Sequence, residues 1–360
     1  MKIVLANNLF EPYNRGGAEK VMKEMADNFL NAGHEVIIIS TIPKDKNEFK
    51  SLTNSNYQIY QIPSSYYNLA NYSKLRKLLW HLNNFCNPKK RITYHKILKK
   101  EKPDLIITHN LVGLGFFLAS IAQGLNIKHE HFLHDIQLLH PSGLMMLNKE
   151  DNINKLPAKI YQRLTRSYFK KTNKIISPSN WLLREHITRG FFPGKETEIR
   201  RLKTSILTEA NKIMNNEKTI ESQNTNHFLF VAQLEEHKGL NFLLEVFSKF
   251  ENKLATLTII GRGKEIDLVK KYASSDKRLN YLGYLENLEI KQEMEKADFL
   301  IIPSLCYENS PTVIYEANAV NLKIIAANIG GIPEIIKTND ILFTAGNKTD
   351  LLEKLISVAG

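Results

Sequence analysis

Short, almost wholly apolar runs alternate along this chain with longer segments in which apolar residues recur every three or four positions. Residues 2–6 (KIVLA) are the first apolar run, followed by a loop containing Pro12, Gly16 and Gly17. From Ala18 onward Val21, Met22, Met25, Phe29 and Leu30 fall at helical spacing, and Gly33 supplies a terminator. Residues 35–40 (EVIIIS) are apolar throughout, as a strand covered on both faces requires. Strand, glycine loop, helix and buried strand make a βαβ unit. The alternation continues with predicted strands at 103–109, 128–135 and 174–179, and predicted helices at 111–125, 158–171 and from Trp181. After Glu209 the chain turns polar and asparagine-rich, and the pattern restarts at 227. Strands are then predicted at 227–234, 254–261, 279–282, 297–304 and 323–327, with helices at 240–250, 264–272, 288–296 and 312–319. Two successive series of β–α units predict an α/β protein with two Rossmann-like domains, each built on a parallel sheet. The expected division is 1–208, a linker at 209–226, and 227–360.

Composition narrows the class. The chain has 360 residues, 43% hydrophobic and 24% charged, which suits two globular cores rather than a disordered chain. Two distant cysteines, Cys86 and Cys306, fit neither a disulfide scaffold nor a zinc module, so a reducing cytoplasm is expected. The N-terminal apolar run is too short for a signal peptide, and the longest one (111–122) is too short to span a bilayer.

The formal charge of +12 is unevenly spread. Residues 74–102 hold ten basic residues against one acid, Glu101, and a second basic run covers 155–174. Solvated helix faces account for such runs, and so does a surface for anionic lipid at the inner face of a membrane. Tyr66, Tyr67, Tyr72, Trp80 and Phe85 accompany the first run, as interfacial contact would want. No nucleic-acid motif goes with the charge, so no nucleic-acid partner is expected.

Candidate chemistry concentrates in residues 303–319, PSLCYENSPTVIYEANA. A strand end, a loop carrying Glu308, and a helix from Thr312 with Glu316 in its second turn form the ligand-binding edge of such a sheet. Pro311, Thr312 and Val313 open that helix, where backbone N–H groups suit phosphate. Two carboxylates beside a phosphate site suit hydroxyl groups on a ribose and a sugar. No Asp-x-Asp pair is present to hold a divalent cation, so no metal is expected. A nicotinamide enzyme is excluded at the first loop, which lacks G-x-G-x-x-G.

Residues 303–319 resemble the Glu-x7-Glu motif of the family 4 retaining glycosyltransferases, which have the GT-B type fold of two Rossmann-like domains facing across a cleft. Residues 14–40, VAQLEEHKGL (231–240), IIGRGKE (259–265) and ANIGGIPEII (327–336) are similar to further elements of that family, in its order. The resemblance implies that Glu308 contacts the donor sugar, Glu316 holds the ribose, and Lys238 binds the donor diphosphate. It implies that Gly16 and Gly17 face the donor phosphates and that His134 meets the donor sugar near the reacting carbon. Glu334 becomes a further donor contact. Where the family has an arginine this chain has Gln233, and Arg262 in the glycine turn is the candidate to supply the missing charge. His34, His109, His129 and His131 receive no role, nor does Cys306.

The implied activity is a metal-independent, retaining, hexosyltransferase-type reaction without a cofactor. A nucleoside-diphosphate sugar is the donor, a UDP-sugar favoured, and a glycan or lipid-linked molecule the acceptor, in surface polysaccharide synthesis. Segments 40–102 and 134–150 are expected to choose that acceptor. A catalytically idle partner of another transferase, and a nucleotide-sugar epimerase or hydrolase, are the alternatives, separable by donor turnover.

Overall fold

The computed structural model describes residues 1–13, 16–46, 50–53, 57–201 and 226–359. It divides into two compact units: Met1–Leu144 with Asp151–Arg201, and Met145–Glu150 with the described residues after Arg201. Among the described residues no helix is long and apolar enough to cross a membrane. The expected linker lies outside the described residues except for Asn226, and Asn14 and Arg15 lie outside them too.

The first unit is built on an eight-stranded sheet in the order β3-β4-β2-β1-β5-β6-β7-β8. Its strands are β1 (Lys2–Ala6), β2 (Glu35–Pro43), β3 (Lys50–Thr53), β4 (Gln58–Ser64), β5 (Leu105–Thr108), β6 (Lys128–Phe132), β7 (Lys174–Ser177) and β8 (Glu196–Ile199). All pairings are parallel except β3 with β4. Ile3, Val4 and Leu5 of β1 and Ile37, Ile38 and Ile39 of β2 are almost wholly buried, which explains their unbroken apolar runs. Helix α1 (Gly17–Asn31) buries Val21, Met22 and Ala26 and stops just before Gly33, whose φ of 78° is left-handed.

Helices α2 (Lys74–Phe85), α3 (Pro88–Glu101), α4 (Phe117–Gly124), α5 (Leu156–Tyr168) and α6 (Asn180–Ile187) complete this unit. The sequence pattern placed no helices at α2 and α3, and both basic runs prove to lie largely on α2, α3 and α5. Caps fix the starts of α2 and α3: Ser73 accepts from the Arg76 N–H and Asn87 from the Lys90 N–H. The helix expected over 111–125 begins only at Phe117. Gly113 and Gly115 have φ of 97° and 118°, which a right-handed helix does not admit.

The second unit carries a six-stranded parallel sheet, β11-β10-β9-β12-β13-β14. These strands are β9 (His227–Val231), β10 (Thr256–Ile260), β11 (Leu279–Gly283), β12 (Phe299–Ile302), β13 (Lys323–Ala327) and β14 (Ile341–Phe343). Residues 145–150, expected in the N-terminal domain, belong here. Leu147 donates its N–H to the Leu305 carbonyl at 2.9 Å, Tyr307 donates to the Met145 carbonyl at 2.8 Å, and Met146 bridges to Cys306. Backbone pairing of this kind satisfies polar groups that the loop after β12 would otherwise leave unpaired.

Candidate active site

Chain order reverses at the centre of the second sheet: β10 lies on one side of β9 and β12 on the other. A crevice outside the carboxyl ends of such strands is where open α/β sheets bind ligands. Two loops meet there. After β9 comes the short turn Glu236–Lys238, closed by Gly239 at φ 76°. A Cβ on Gly239 would lie 1.9 Å from the Pro303 carbonyl oxygen. Only glycine allows this approach, and Leu305 adds a 3.0 Å hydrogen bond from its N–H to the His237 carbonyl.

The result is a close ion pair. Lys238 Nζ stands 2.5 Å from Glu308 Oε1, with side chains 24% and 15% exposed, so solvent screens the pair only weakly. Ser304 Oγ donates to the same carboxylate oxygen at 3.2 Å. Burial acts to raise Glu308, but the lysine charge and hydrogen bonds outweigh it and hold the carboxyl below its usual range. Burial likewise acts to lower Lys238, and Glu308 more than offsets this, leaving the ammonium above its usual value. Both groups are charged at neutral pH. The neighbouring Cys306 thiol is pushed up to about 12, chiefly by burial and then by Glu308, so it is not a nucleophile.

Two further turns and a helix start converge on these loops. Gly330, at φ 62°, brings its Cα so near Glu308 that a Cβ would lie 2.2 Å from the Glu308 carbonyl oxygen. Gly331 donates its N–H to that oxygen at 2.8 Å, so the turn Ile332–Glu334, with Glu334, is tied to the Glu308 loop. Gly261 and Gly263 pack on Ala232 and Leu234 in the same way. Between them the Arg262 guanidinium lies 4.5 Å over the Tyr284 ring. The helix Thr312–Ala319 starts at Pro311 without a side-chain cap, so its first N–H groups, those of Thr312 and Val313 included, keep their capacity for an anion. Glu316 is half-buried one turn further on. The structure thus gathers Lys238 and Glu308 into one contact and ties the Glu334 turn to it. Ser304 was not singled out in the sequence, and only its position at the strand end hinted at a role.

Gly239→Ala is expected to destabilise the protein by at least about 2 kcal/mol, because left-handed backbone and a backbone clash add together. A thermal melt no different from that of the parent would refute this account of the turn.

The first sheet also reverses chain order, with β2 and β5 on opposite sides of β1. Its carboxyl edge is polar: Asn110 donates its N–H to Asn7 Oδ1 at 3.0 Å, and Gln137 Oε1 accepts from Leu111 at 2.9 Å. His134 follows β6 and is half-buried. Its Nε2 lies 2.8 Å from His109 Nδ1, and the two rings stack with Phe132. Burial depresses His134 to about 3, so it is a neutral imidazole in this protein. Asp135 beside it is pushed up to about 7 by burial, against a 2.6 Å hydrogen bond from the Gln137 N–H. Gly16 is extended, with φ −160°, and donates its N–H to the Glu19 carboxylate at 2.7 Å, which opens α1. That donor is therefore already engaged. Gly17 is the first residue of α1.

Known proteins match this chain across both units. The sequence pattern described as "Glycosyltransferase Family 4" covers residues 15–199, and that of "Glycosyl transferases group 1" covers 225–360. An "Uncharacterized 42.6 kDa protein in cps region" of Klebsiella pneumoniae is 26% identical over 340 residues, 93% of this chain and 87% of that protein. Sucrose-phosphate synthase of Thermosynechococcus elongatus superposes with a TM-score of 0.71 at 16% identity, over 99% of this chain and 89% of that one. Anabaena HepE in complex with UDP and glucose superposes with a TM-score of 0.65 at 18% identity, over 99% and 89%. These likenesses establish the GT-B type fold, and with the two sequence patterns they make the chain a glycosyltransferase that belongs to glycosyltransferase family 4.

Proposed function

We propose that this glycosyltransferase moves a hexose, with retention of anomeric configuration, from a UDP-sugar to a glycan or lipid-linked acceptor, in surface polysaccharide synthesis at the inner face of a membrane. The observation that carries the reading is the Lys238–Glu308 pair at the switch point of the second sheet, beside an uncapped helix start. Breaking the bond between C1 of the sugar and the diphosphate leaves an electron pair on the departing nucleotide. Lys238 stabilises that charge, and the N–H groups of Thr312 and Val313 share it. Glu308 holds the lysine in place and accepts from a donor-sugar hydroxyl, Glu316 accepts from the ribose, and Glu334 adds a sugar contact. His134, kept neutral, is suited to hydrogen-bond the donor sugar rather than to carry charge. The acceptor hydroxyl oxygen joins C1, and its proton passes to the departing diphosphate.

Support for the donor comes from HepE, whose solved complex holds UDP and glucose. Support for the pathway comes from the cps-region relative. The positive charge that a diphosphate needs is supplied by Lys238 and the helix start, so no metal enters the reaction. Product made from an α-linked UDP-sugar should carry an α linkage by NMR, at a rate that EDTA leaves unchanged. A β-linked product would sink the retaining assignment, and a rate abolished by EDTA would sink the metal-free one.

A further inference from the structure

Helix α2 exposes four leucines, Leu75, Leu78, Leu79 and Leu82, at 69%, 58%, 59% and 47%. Their spacing is that of a single apolar stripe, while Trp80 and Asn84 on the other side are buried in the unit. A helix that only needed to cover its own core would carry polar residues there. Helix α5 repeats the arrangement with Leu156, Ile160 and Leu164, exposed at 71%, 54% and 40%. The helices are neighbours: Tyr168 donates to the Phe85 carbonyl at 2.6 Å, and the Phe85 ring meets Tyr161 edge-on. Basic residues flank both stripes, among them Lys74 and Arg76 on α2 and Lys159 and Arg163 on α5. No acid occurs anywhere between Glu48 and Glu101.

We infer that the two stripes form a docking face that inserts into an anionic lipid bilayer, with the α2 leucines as the inserted element. This rests on the membrane-side reading proposed above and assigns it to residues. Apolar contact alone would equally admit a second copy of the chain. Charge decides between them, because two such basic faces repel each other whereas acidic headgroups attract them. Leucines enter the acyl boundary while the flanking lysines and arginines stay at headgroup level, as an interfacial amphipathic helix does. Each basic residue near the surface strengthens binding by about fivefold at low salt.

The test is co-sedimentation of the full chain with vesicles of phosphatidylcholine alone, or of phosphatidylcholine mixed with phosphatidylglycerol. Two variants are compared with the parent, Leu75→Gln/Leu79→Gln and Lys74→Glu/Arg76→Glu, both outside the proposed catalytic groups. The parent should bind the mixed vesicles and not the neutral ones. Each variant should lose at least about tenfold in affinity while keeping the parent's circular dichroism and melting temperature. Undiminished binding by the leucine variant would overturn insertion. Failure of the parent to bind would overturn the docking face altogether, as would a parent dimer that the leucine variant dissociates. Nucleotide release with a water-soluble acceptor, measured on the same samples, keeps the transferase reading separate. Its loss alongside intact vesicle binding would sink that reading and leave the docking face standing.

Discussion

Lys238→Met is expected to reduce the rate of nucleotide diphosphate release by about a thousandfold. A cation about 4 Å from the developing charge contributes roughly 4 kcal/mol at an effective dielectric of 20. A second effect accompanies it. Glu308, 15% exposed and bonded to Lys238 and Ser304, would be left as an uncompensated carboxylate. Breaking such a pair from one side typically costs about 3 kcal/mol of stability. Adding Glu308→Gln should recover most of that stability, because a neutral amide needs no counter-ion. The double variant therefore separates the two roles. Recovered melting temperature with the rate still low would mean that the pair acts on the donor rather than only on the fold. Recovery of both would mean that the pair only holds two loops together.

A steep loss of stability between pH 7.5 and 5.5 is the other large effect. His109, His129, His131 and His186 are at most 1% exposed. Burial, the leading cause in each, depresses His129 to about 3 and His186 to about 4, and holds His109 and His131 well below the ordinary 6.5. Hydrogen bonds suit them to neutrality: Thr108 Oγ1 lies 2.8 Å from both His129 Nε2 and His131 Nδ1, and Thr172 Oγ1 lies 3.1 Å from His129 Nδ1. Below pH 6.5 the unfolded chain takes up protons that the folded chain refuses, so stability falls by about 1.4 kcal/mol per group per pH unit. It is fully present above 6.5. Asp135 works the other way. Its folded value near 7 exceeds the ordinary 3.8, so the folded state gains a proton as pH falls through 7 and recovers part of the loss. His134, likewise depressed to about 3, adds to the loss, and the net is about 5 kcal/mol, a large share of a typical domain's stability. Melting temperature should drop by about 10 °C across this range, and His129→Gln should flatten the profile. A melting temperature constant from pH 7.5 to 5.5 would contradict it.

Much of the fold was legible because covered strands leave unbroken apolar runs. The helix Thr312–Ala319 and the strand Lys323–Ala327 start and stop where the sequence pattern placed them. Positions governed by long-range approach were not legible. Gly113 and Gly115 look like interruptions of an apolar helix, and only their φ values show that the backbone turns there. Helices α2 and α3 are so basic that charge masks their period, and the exposed leucines of α2 blur its apolar face further. The sequence pattern assigns no part to the histidines at 109, 129 and 131. Pairing of β5 with β6, which sets Thr108 opposite His131, brings them into one buried cluster. In the candidate site, Glu308, Glu316 and Lys238 could be named from the order of the motifs. The contact between Lys238 and Glu308 depends on the approach of Gly239 to Pro303, and the third partner, Ser304, depends on the same loop geometry. No spacing rule encodes either.

The central claim is that the second unit activates a nucleoside-diphosphate sugar through Lys238 and Glu308. It is tested most directly by following nucleotide diphosphate release from a panel of nucleotide sugars with a membrane-extract acceptor, using the parent, Lys238→Ala and Glu308→Ala. Release from one donor by the parent, lost in both folded variants, is the predicted result. Equal release by parent and variants would contradict the account, as would no release from any donor by a folded parent.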